Sequence, residues 1–124
     1  MNKGLKGHIA IVDDDPLVRE GLRDCMESAG YAVEDFGSAE EFLSSNSLNN
    51  AACLILDVQL PGASGITLQD TLTAAKSNPP IIFVTAHASE ANREIALRNG
   101  AIAFLSKPVR REQLLNVVKM AIKP

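Results

Sequence analysis

The sequence of 124 residues predicts an α/β fold in which a parallel β-sheet is covered by helices on both faces. Short apolar runs rich in β-branched residues recur along the chain, and a segment with the apolar spacing of an amphipathic helix follows each of them. This alternation occurs five times without an internal repeat. Runs that are apolar throughout suit strands buried on both faces, as in a parallel sheet. The length suits one domain, so residues 1–124 are predicted to form a single unit.

Composition excludes several functional classes. The net charge of −3 and the isoelectric point near 5.3 offer no basic surface for nucleic acid. No apolar run approaches the roughly 18 residues of a membrane span, and no signal peptide is recognisable, which predicts a cytoplasmic chain without a membrane partner. Cys25 and Cys53 lie in apolar runs without metal-ligand or redox spacing, so both are predicted to be reduced core thiols.

The first strand and helix are the clearest pair. Residues 9–12 are apolar and β-branched, which predicts a buried strand, and three consecutive aspartates end it. Asp15 is predicted to cap the following helix and Pro16 to occupy its first position, where the missing N–H costs nothing. Apolar residues then keep helical spacing as far as Gly30, which is suited to ending the helix in a left-handed turn.

The later elements repeat this arrangement. Residues 31–36 are predicted to form a strand near the sheet edge, and a capping-box pattern at Ser38 and Glu41 opens a short helix. The polar residues 44–50 predict a loop, and the apolar residues 52–56 predict a central strand. The remaining predicted elements are a helix to about Ser77, a strand at 81–84, a helix from about Ser89 to Gly100, a strand at 101–105 and a last helix whose apolar face includes Leu114 and Val118.

Polar residues that carry chemistry stand where four predicted strands end: Asp13 and Asp14, Asp57, Thr85, and Lys107. Because parallel sheets of this kind bind ligands at the carboxyl ends of their strands, we expect these side chains to converge. Two like charges about 4 Å apart repel by roughly 4 kcal/mol at an effective dielectric near 20, so three clustered carboxylates require cations. Lys107 can offset one charge, and Mg²⁺, or Mn²⁺ in its place, suits the remaining oxygen ligands. A metal beside a nucleophilic carboxylate indicates phosphoryl transfer.

A set of motifs extends this pattern along the chain: Val12-Asp13-Asp14, Asp57 with Leu60-Pro61-Gly62 and Gly65, Val84-Thr85-Ala86, Phe104, and Lys107-Pro108. In these motifs the chain resembles the receiver domain of two-component response regulators, of the FixJ type, from residue 9 to residue 122. The resemblance implies a flavodoxin-like, doubly wound sheet of five parallel strands in the order 2-1-3-4-5, flanked by five helices.

The resemblance also implies a role for each residue around the acidic pocket. Asp57 is the expected phosphoacceptor. Asp14, Asp57 and the backbone carbonyl of Gln59 are expected to bind the metal directly, and Asp13 through a metal-bound water. The side chains of Gln59 and His87 are either modulators at the pocket rim or solvated loop residues.

Other residues are expected to bind the phosphoryl group or to respond to it. Thr85, the backbone N–H of Ala86 and Lys107 are expected to bind phosphoryl oxygens, and the Lys107–Pro108 bond is expected to be cis. Thr85 and Phe104 form the expected switch. Phe104 replaces the Tyr that is common in relatives, so packing must carry the signal in place of a hydroxyl group.

By the same resemblance, the domain is a phosphorylation-activated switch that accepts its phosphoryl group from a sensor histidine kinase. It is not expected to be an enzyme, since it catalyses only its own phosphorylation and dephosphorylation. The face made by the helix from about Ser89, the fifth strand and the last helix is expected to change, and a homodimer can form there. The chain is expected to be the N-terminal part of a larger transcriptional regulator that reaches DNA only through a C-terminal effector domain. A stand-alone receiver or phosphorelay module is the alternative.

Rival functions meet specific obstacles in the sequence. A haloacid-dehalogenase-like phosphatase would use Asp13 as the nucleophile of an Asp-x-Asp motif, but Pro16 starts a helix where such enzymes carry a loop and a flap. A flavodoxin-like FMN carrier needs a neutral, glycine-rich loop, and three aspartates would repel its phosphate. A pseudo-receiver that has lost phosphorylation is disfavoured because the acidic residues, the threonine and the lysine of the pocket are all present.

Overall fold

Five short apolar segments pair side by side as a parallel sheet in the computed structural model, which describes residues 7–76 and 79–122. The strands are β1 (His8–Val12), β2 (Ala32–Phe36), β3 (Cys53–Leu56), β4 (Ile81–Thr85) and β5 (Ala103–Ser106). Their order is β2-β1-β3-β4-β5, and all four neighbouring pairs are parallel. This confirms the predicted flavodoxin-like order.

Helices connect the strands and cover both faces of the sheet. They are α1 (Pro16–Ser28), α2 (Ala39–Leu43), α3 (Ser47–Asn50), α4 (Gly65–Ala74), α5 (Glu90–Arg98) and α6 (Arg111–Ala121). The helix α4 ends at Ala74, which is earlier than the predicted end near Ser77; Ser77 itself lies outside the described residues. No helix in the described ranges is long and apolar enough to cross a bilayer.

The prediction of a loop at residues 44–50 was wrong in part, because this segment contains the short helix α3. Its first residue, Ser47, is fully buried although it is polar. The Ser47 hydroxyl donates to the Glu34 carboxylate. The ring Nε2 of His8 lies 3.0 Å from the hydroxyl oxygen of Ser47. The turn is therefore held by residues of β1 and β2, which local polarity does not reveal. The sheet thus has six flanking helices in the described residues, one more than predicted.

Alternate residues of β1 point into two separate hydrophobic clusters. Ile9 and Ile11 belong to the cluster that includes residues of α1 and α6, whereas Ala10 and Val12 belong to the cluster that includes residues of α2, α4 and α5. Both sides of the strand are therefore buried, which explains why its sequence is apolar throughout. The packed sheet gives the ends of its strands fixed positions.

The predicted helix starts are formed by side-chain caps. Asp15 is the N-cap of α1, and its Oδ1 accepts a hydrogen bond from the backbone N–H of Leu17 at 2.9 Å. Ser64 caps α4 in the same way by accepting from the N–H of Thr67 at 3.1 Å. Capping occupies both side chains at their own helices, and the sequence predicted this role for Asp15.

Candidate functional site

Three carboxylates meet at the carboxyl ends of β1 and β3. One oxygen atom from each of Asp13, Asp14 and Asp57 lies within 4.8 Å of the others. Val12 and Leu56 are paired in the sheet, so the aspartates that follow them lie side by side. Asp13 and Asp57 are 1% and 5% exposed, whereas Asp14 is exposed to solvent. The predicted convergence of these acids is confirmed.

Lys107 supplies the positive charge of this pocket. Its Nζ donates to Asp13 Oδ2 at 2.8 Å and to Asp57 Oδ2 at 2.8 Å. The residue reaches the acids because its backbone N–H donates to the carbonyl of Thr85 at 2.9 Å, which extends the pairing of β4 with β5. The peptide bond between Lys107 and Pro108 is cis, as the resemblance implied.

The two buried carboxylates have opposite pKa shifts. Burial raises the pKa of Asp13, and the hydrogen bonds from Lys107 and from the N–H of Asp15 offset this only in part. Burial also raises the pKa of Asp57, but hydrogen bonds from Lys107, from the Thr85 hydroxyl and from the N–H of Gln59 outweigh it. The pKa of Asp57 therefore lies below its usual value, and this carboxylate is ionised at neutral pH.

The ammonium of Lys107 remains charged in the same pocket. Burial lowers its pKa, but the hydrogen bonds and the negative charges of Asp13 and Asp57 raise it by more. The net shift is upward, so the lysine is protonated at neutral pH. Three carboxylates with one ammonium leave an excess of about two negative charges.

The pocket fits a small divalent cation in both charge and donor chemistry. Its ligand atoms are hard carboxylate oxygens, which Mg²⁺ and Mn²⁺ prefer. Within the described ranges no hydrogen bond reaches the exposed carboxylate of Asp14, so its oxygens are free to bind an ion. The backbone N–H of Gln59 donates to Asp57 Oδ1 at 3.1 Å, which places the Gln59 backbone at the pocket edge. The role of its carbonyl as a metal ligand stays a prediction.

The end of β4 places the predicted phosphoryl-binding residues beside the acids. Thr85 is fully buried, and its Oγ1 accepts a hydrogen bond from the N–H of His87 at 3.0 Å. Ala86 and His87 are exposed on the loop that follows. The backbone carbonyl of His87 accepts from Asn92 Nδ2 at 3.2 Å, which ties this loop to α5. The loop thus has both a buried anchor and an exposed segment next to the pocket.

Phe104 lies at the edge of the core. Its ring is half-buried on β5 and packs against the fully buried ring of Phe83, with 5.8 Å between the ring centroids and 42° between the planes. The ring therefore has a packing partner inside the core and an open side towards solvent. Its predicted role in switching stays a prediction.

Sequence reasoning assigned no role to two residues that contact this site through its backbone. Arg19 Nη1 donates to the carbonyl oxygen of Asp13 at 2.7 Å. Gly65 packs so closely on Asp57 that an added Cβ would lie 2.1 Å from the Asp57 carbonyl oxygen. Gly65 belongs to the motif that the sequence shows, but only the folded chain reveals what it touches.

Comparisons with known proteins agree with this geometry. The family model of the response regulator receiver domain matches residues 9–119. Nodulation protein W of Bradyrhizobium diazoefficiens is 40% identical over 94% of this chain and 51% of its own length. Transcriptional regulatory protein FixJ of the same organism is 35% identical over 95% of this chain and 58% of its own length. A CheY-like receiver domain protein from Methanospirillum hungatei has a TM-score of 0.84, with 30% identity over 94% of this chain and 93% of that protein. The chain thus spans about half the length of the curated relatives it matches.

Proposed function

Because this chain belongs to the response regulator receiver family, we propose that it is a phosphorylation-controlled switch whose phosphoacceptor is Asp57. The observation that carries the assignment is the position of Asp57: β3 lies between β1 and β4, so the Asp57 carboxylate lies between the acids that follow β1 and Thr85 at the end of β4. The pKa of Asp57 is lowered by its hydrogen bonds, whereas burial raises the pKa of Asp13. A carboxylate is nucleophilic in its ionised form, and the lowered pKa keeps Asp57 in this form at neutral pH.

The pocket residues act by position and charge. Asp14, Asp57 and the carbonyl of Gln59 would hold Mg²⁺ directly, and Asp13 would hold it through a water. The bound ion would neutralise charge on the phosphoryl oxygens. Lys107 orients the Asp57 carboxylate and offsets its charge. An oxygen of Asp57 then forms the bond to phosphorus while the bond between phosphorus and the donor breaks. The domain thereby catalyses its own phosphorylation and, with water as the attacking group, its dephosphorylation.

The phosphoryl group introduces acceptor oxygens that were not there before. Thr85, the backbone N–H of Ala86 and Lys107 are the proposed donors to these new oxygens. Because Thr85 ends β4 and its hydroxyl accepts from the N–H of His87 on the loop that leads to α5, binding the phosphoryl group draws this loop towards the pocket. Phe104, which already packs against Phe83, then turns into the space that the loop leaves, and the face of α5, β5 and α6 changes shape. His87 and the side chain of Gln59 border the entrance and modulate access to it.

The changed face is the output of the switch. A sensor histidine kinase is the proposed donor, and a second copy of the domain is the proposed partner of the phosphorylated face. Relatives that carry names of transcriptional regulators support a transcriptional output. In this proposal the chain is the N-terminal part of a cytoplasmic regulator, and DNA is bound by a C-terminal effector domain. A stand-alone receiver is the second candidate.

The test is to incubate the protein with Mg²⁺ and acetyl phosphate and to locate the added phosphoryl group by mass spectrometry. The label is expected on Asp57, to be absent from Asp57→Asn, and to require more Mg²⁺ in Asp14→Asn. Asp70→Asn is the matched control, because Asp70 is exposed on α4 and bonds only to Asn99 within the described residues. A label on Asp13, or labelling of Asp57→Asn at the native rate, would contradict the assignment.

A further inference from the structure

Arg19 connects the acidic loop with two other parts of the fold. It lies one turn into α1, where its backbone N–H donates to the carbonyl of Asp15 at 3.0 Å. Its guanidinium turns back towards the pocket and donates from Nη1 to the carbonyl oxygen of Asp13 at 2.7 Å. The same guanidinium donates from Nε to Asp35 Oδ2 on β2 at 3.1 Å. One side chain thus links the first helix, the loop after β1 and the neighbouring strand.

Asp35 holds this guanidinium from the other side. Its second oxygen, Oδ1, accepts from Arg23 Nη1 at 2.8 Å, and Arg23 also contacts Glu27 one turn further along α1. Both oxygens of Asp35 are therefore occupied by arginines, which restricts the carboxylate to one orientation. Gly37 leaves room for the arrangement, since a Cβ at that position would lie 3.3 Å from Arg19 Nη1.

The carbonyl that Arg19 holds belongs to the peptide bond between Asp13 and Asp14. The other side of Asp13 is fixed as well, because its N–H donates to the carbonyl of Phe36 at 3.0 Å. Its carboxylate accepts from Lys107 and from the N–H of Asp15. Asp14 has no such support for its own carboxylate within the described ranges, so the position from which its side chain starts depends on how the preceding peptide bond is held.

From these contacts we infer that Arg19 is a positioning residue for the metal site. By fixing the peptide plane between Asp13 and Asp14, it aims the exposed Asp14 carboxylate at the position between Asp13 and Asp57. The inference deepens the proposed function and rests on it, since it concerns the same metal. Outer partners of metal ligands commonly change metal affinity by about 10- to 100-fold, and a loss of this size is expected here.

The charge of Arg19 and its positioning role predict opposite effects on Mg²⁺ affinity when Arg19 is replaced, which makes the role testable. Removing a cation near three carboxylates makes the pocket more negative, so by charge alone Arg19→Gln would bind Mg²⁺ more tightly. If Arg19 positions Asp14, Arg19→Gln binds Mg²⁺ more weakly despite the gained negative charge. Arg19→Lys keeps the charge but cannot donate to both Asp13 and Asp35 from one planar group, so it is expected to bind more weakly too.

The experiment is a calorimetric titration of each purified variant with MgCl₂, with urea unfolding in Mg²⁺-free buffer to show that each variant is folded. Arg23→Ala is the matched control, because it removes the same charge from the same partner, Asp35, without touching the Asp13 carbonyl. It is expected to bind Mg²⁺ as tightly as the wild type or more tightly. Gly37→Ala is a second variant that keeps both arginines but crowds Arg19 Nη1, and it is expected to bind more weakly.

A second readout separates positioning from a general loss of activity. Labelling of Arg19→Gln by acetyl phosphate is expected to return to nearly the wild-type rate at saturating Mg²⁺, with only the Mg²⁺ requirement increased. Unchanged or tighter Mg²⁺ binding by folded Arg19→Gln overturns the inference, as does weakening of Arg23→Ala to the same extent. If the wild type neither binds Mg²⁺ nor accepts the label, the proposed function itself fails.

Discussion

Replacing Gly65 by alanine tests how closely α4 is packed on the proposed phosphoacceptor. Gly65 is the first residue of α4, and its N–H donates to the carbonyl of Val58 at 2.7 Å. An added Cβ would lie 2.1 Å from the carbonyl oxygen of Asp57, 2.9 Å from its carbonyl carbon and 3.1 Å from the Cα of Val58. All three are backbone atoms, so no side-chain rotation relieves the overlap.

The expected destabilisation is large. Close carbon–oxygen contacts in proteins are about 3.3 Å long. The alanine Cβ, 2.1 Å from the Asp57 carbonyl oxygen, would therefore force α4 and Asp57 apart by more than about 1 Å. Overpacking of this kind costs about 1–3 kcal/mol, and weakening the hydrogen bond between Gly65 and Val58 adds about 1 kcal/mol. Against a total stability of about 5–15 kcal/mol the domain still folds, but less stably. A displacement of about 1 Å at Asp57 is expected to slow labelling by about 100-fold.

Urea unfolding gives the stability change, and labelling by acetyl phosphate gives the effect on Asp57. Gly21→Ala is the matched control, because Gly21 lies inside α1 and, apart from its chain neighbours and the backbone of α1, no heavy atom lies within 4 Å of the added Cβ. It is expected to raise the stability by about 0.5–1 kcal/mol, since alanine favours the helix more than glycine does, and to label normally. The reasoning is refuted if Gly65→Ala unfolds in urea with the midpoint and slope of the wild type and is labelled at the wild-type rate.

Further predictions concern the thiols and the first helix. At about pH 8, Ellman's reagent is expected to modify the half-buried Cys25 quickly and the buried Cys53 only on unfolding, and two fast thiols would contradict the packing. Burial raises the pKa of Cys53 to about 12 from 9.0. The buried neutral thiol therefore contributes fully to the stability of the fold below pH 9.0. About 4 kcal/mol of stability is lost as the pH rises towards 12, because the thiol ionises first in the unfolded chain. Urea unfolding at several alkaline pH values is expected to show a shallower decline for Cys53→Ala. Asp15→Ala is expected to lose about 1 kcal/mol by removing the helix cap and to leave Mg²⁺ affinity unchanged, whereas weaker Mg²⁺ binding would make Asp15 part of the metal site.

The course of the strands was predictable because it depends on patterns within a few residues. The apolar run before Asp57 identified β3, and the run before Asp13 identified β1 with its following cap. The last strand is shorter at its start than predicted, beginning at Ala103, because the sequence pattern does not show where pairing with β4 begins. The helical turn at Ser47 was missed because its partners lie 13 and 39 residues away.

The candidate site was predictable to the extent that its residues follow strands. Asp57 and Lys107 each stand directly after an apolar run, and parallel pairing brings such positions to one edge of a sheet. Arg19 follows no strand and lies among other polar residues of a helix, so nothing near it in the sequence indicates its contact with Asp13. That contact depends on Asp35, which belongs to β2 and is 16 residues away.

By itself the sequence determined the alternation of strands and helices and the set of acidic and basic groups at the strand ends, because both follow from local periodicity and strand termination. Only the tertiary structure decided how those groups differ. Asp13 and Asp57 are the same residue type and share Lys107, yet burial and different hydrogen-bond donors shift their pKa values in opposite directions. Such differences arise from desolvation and charges that distant segments contribute, so they exist only once the chain is folded.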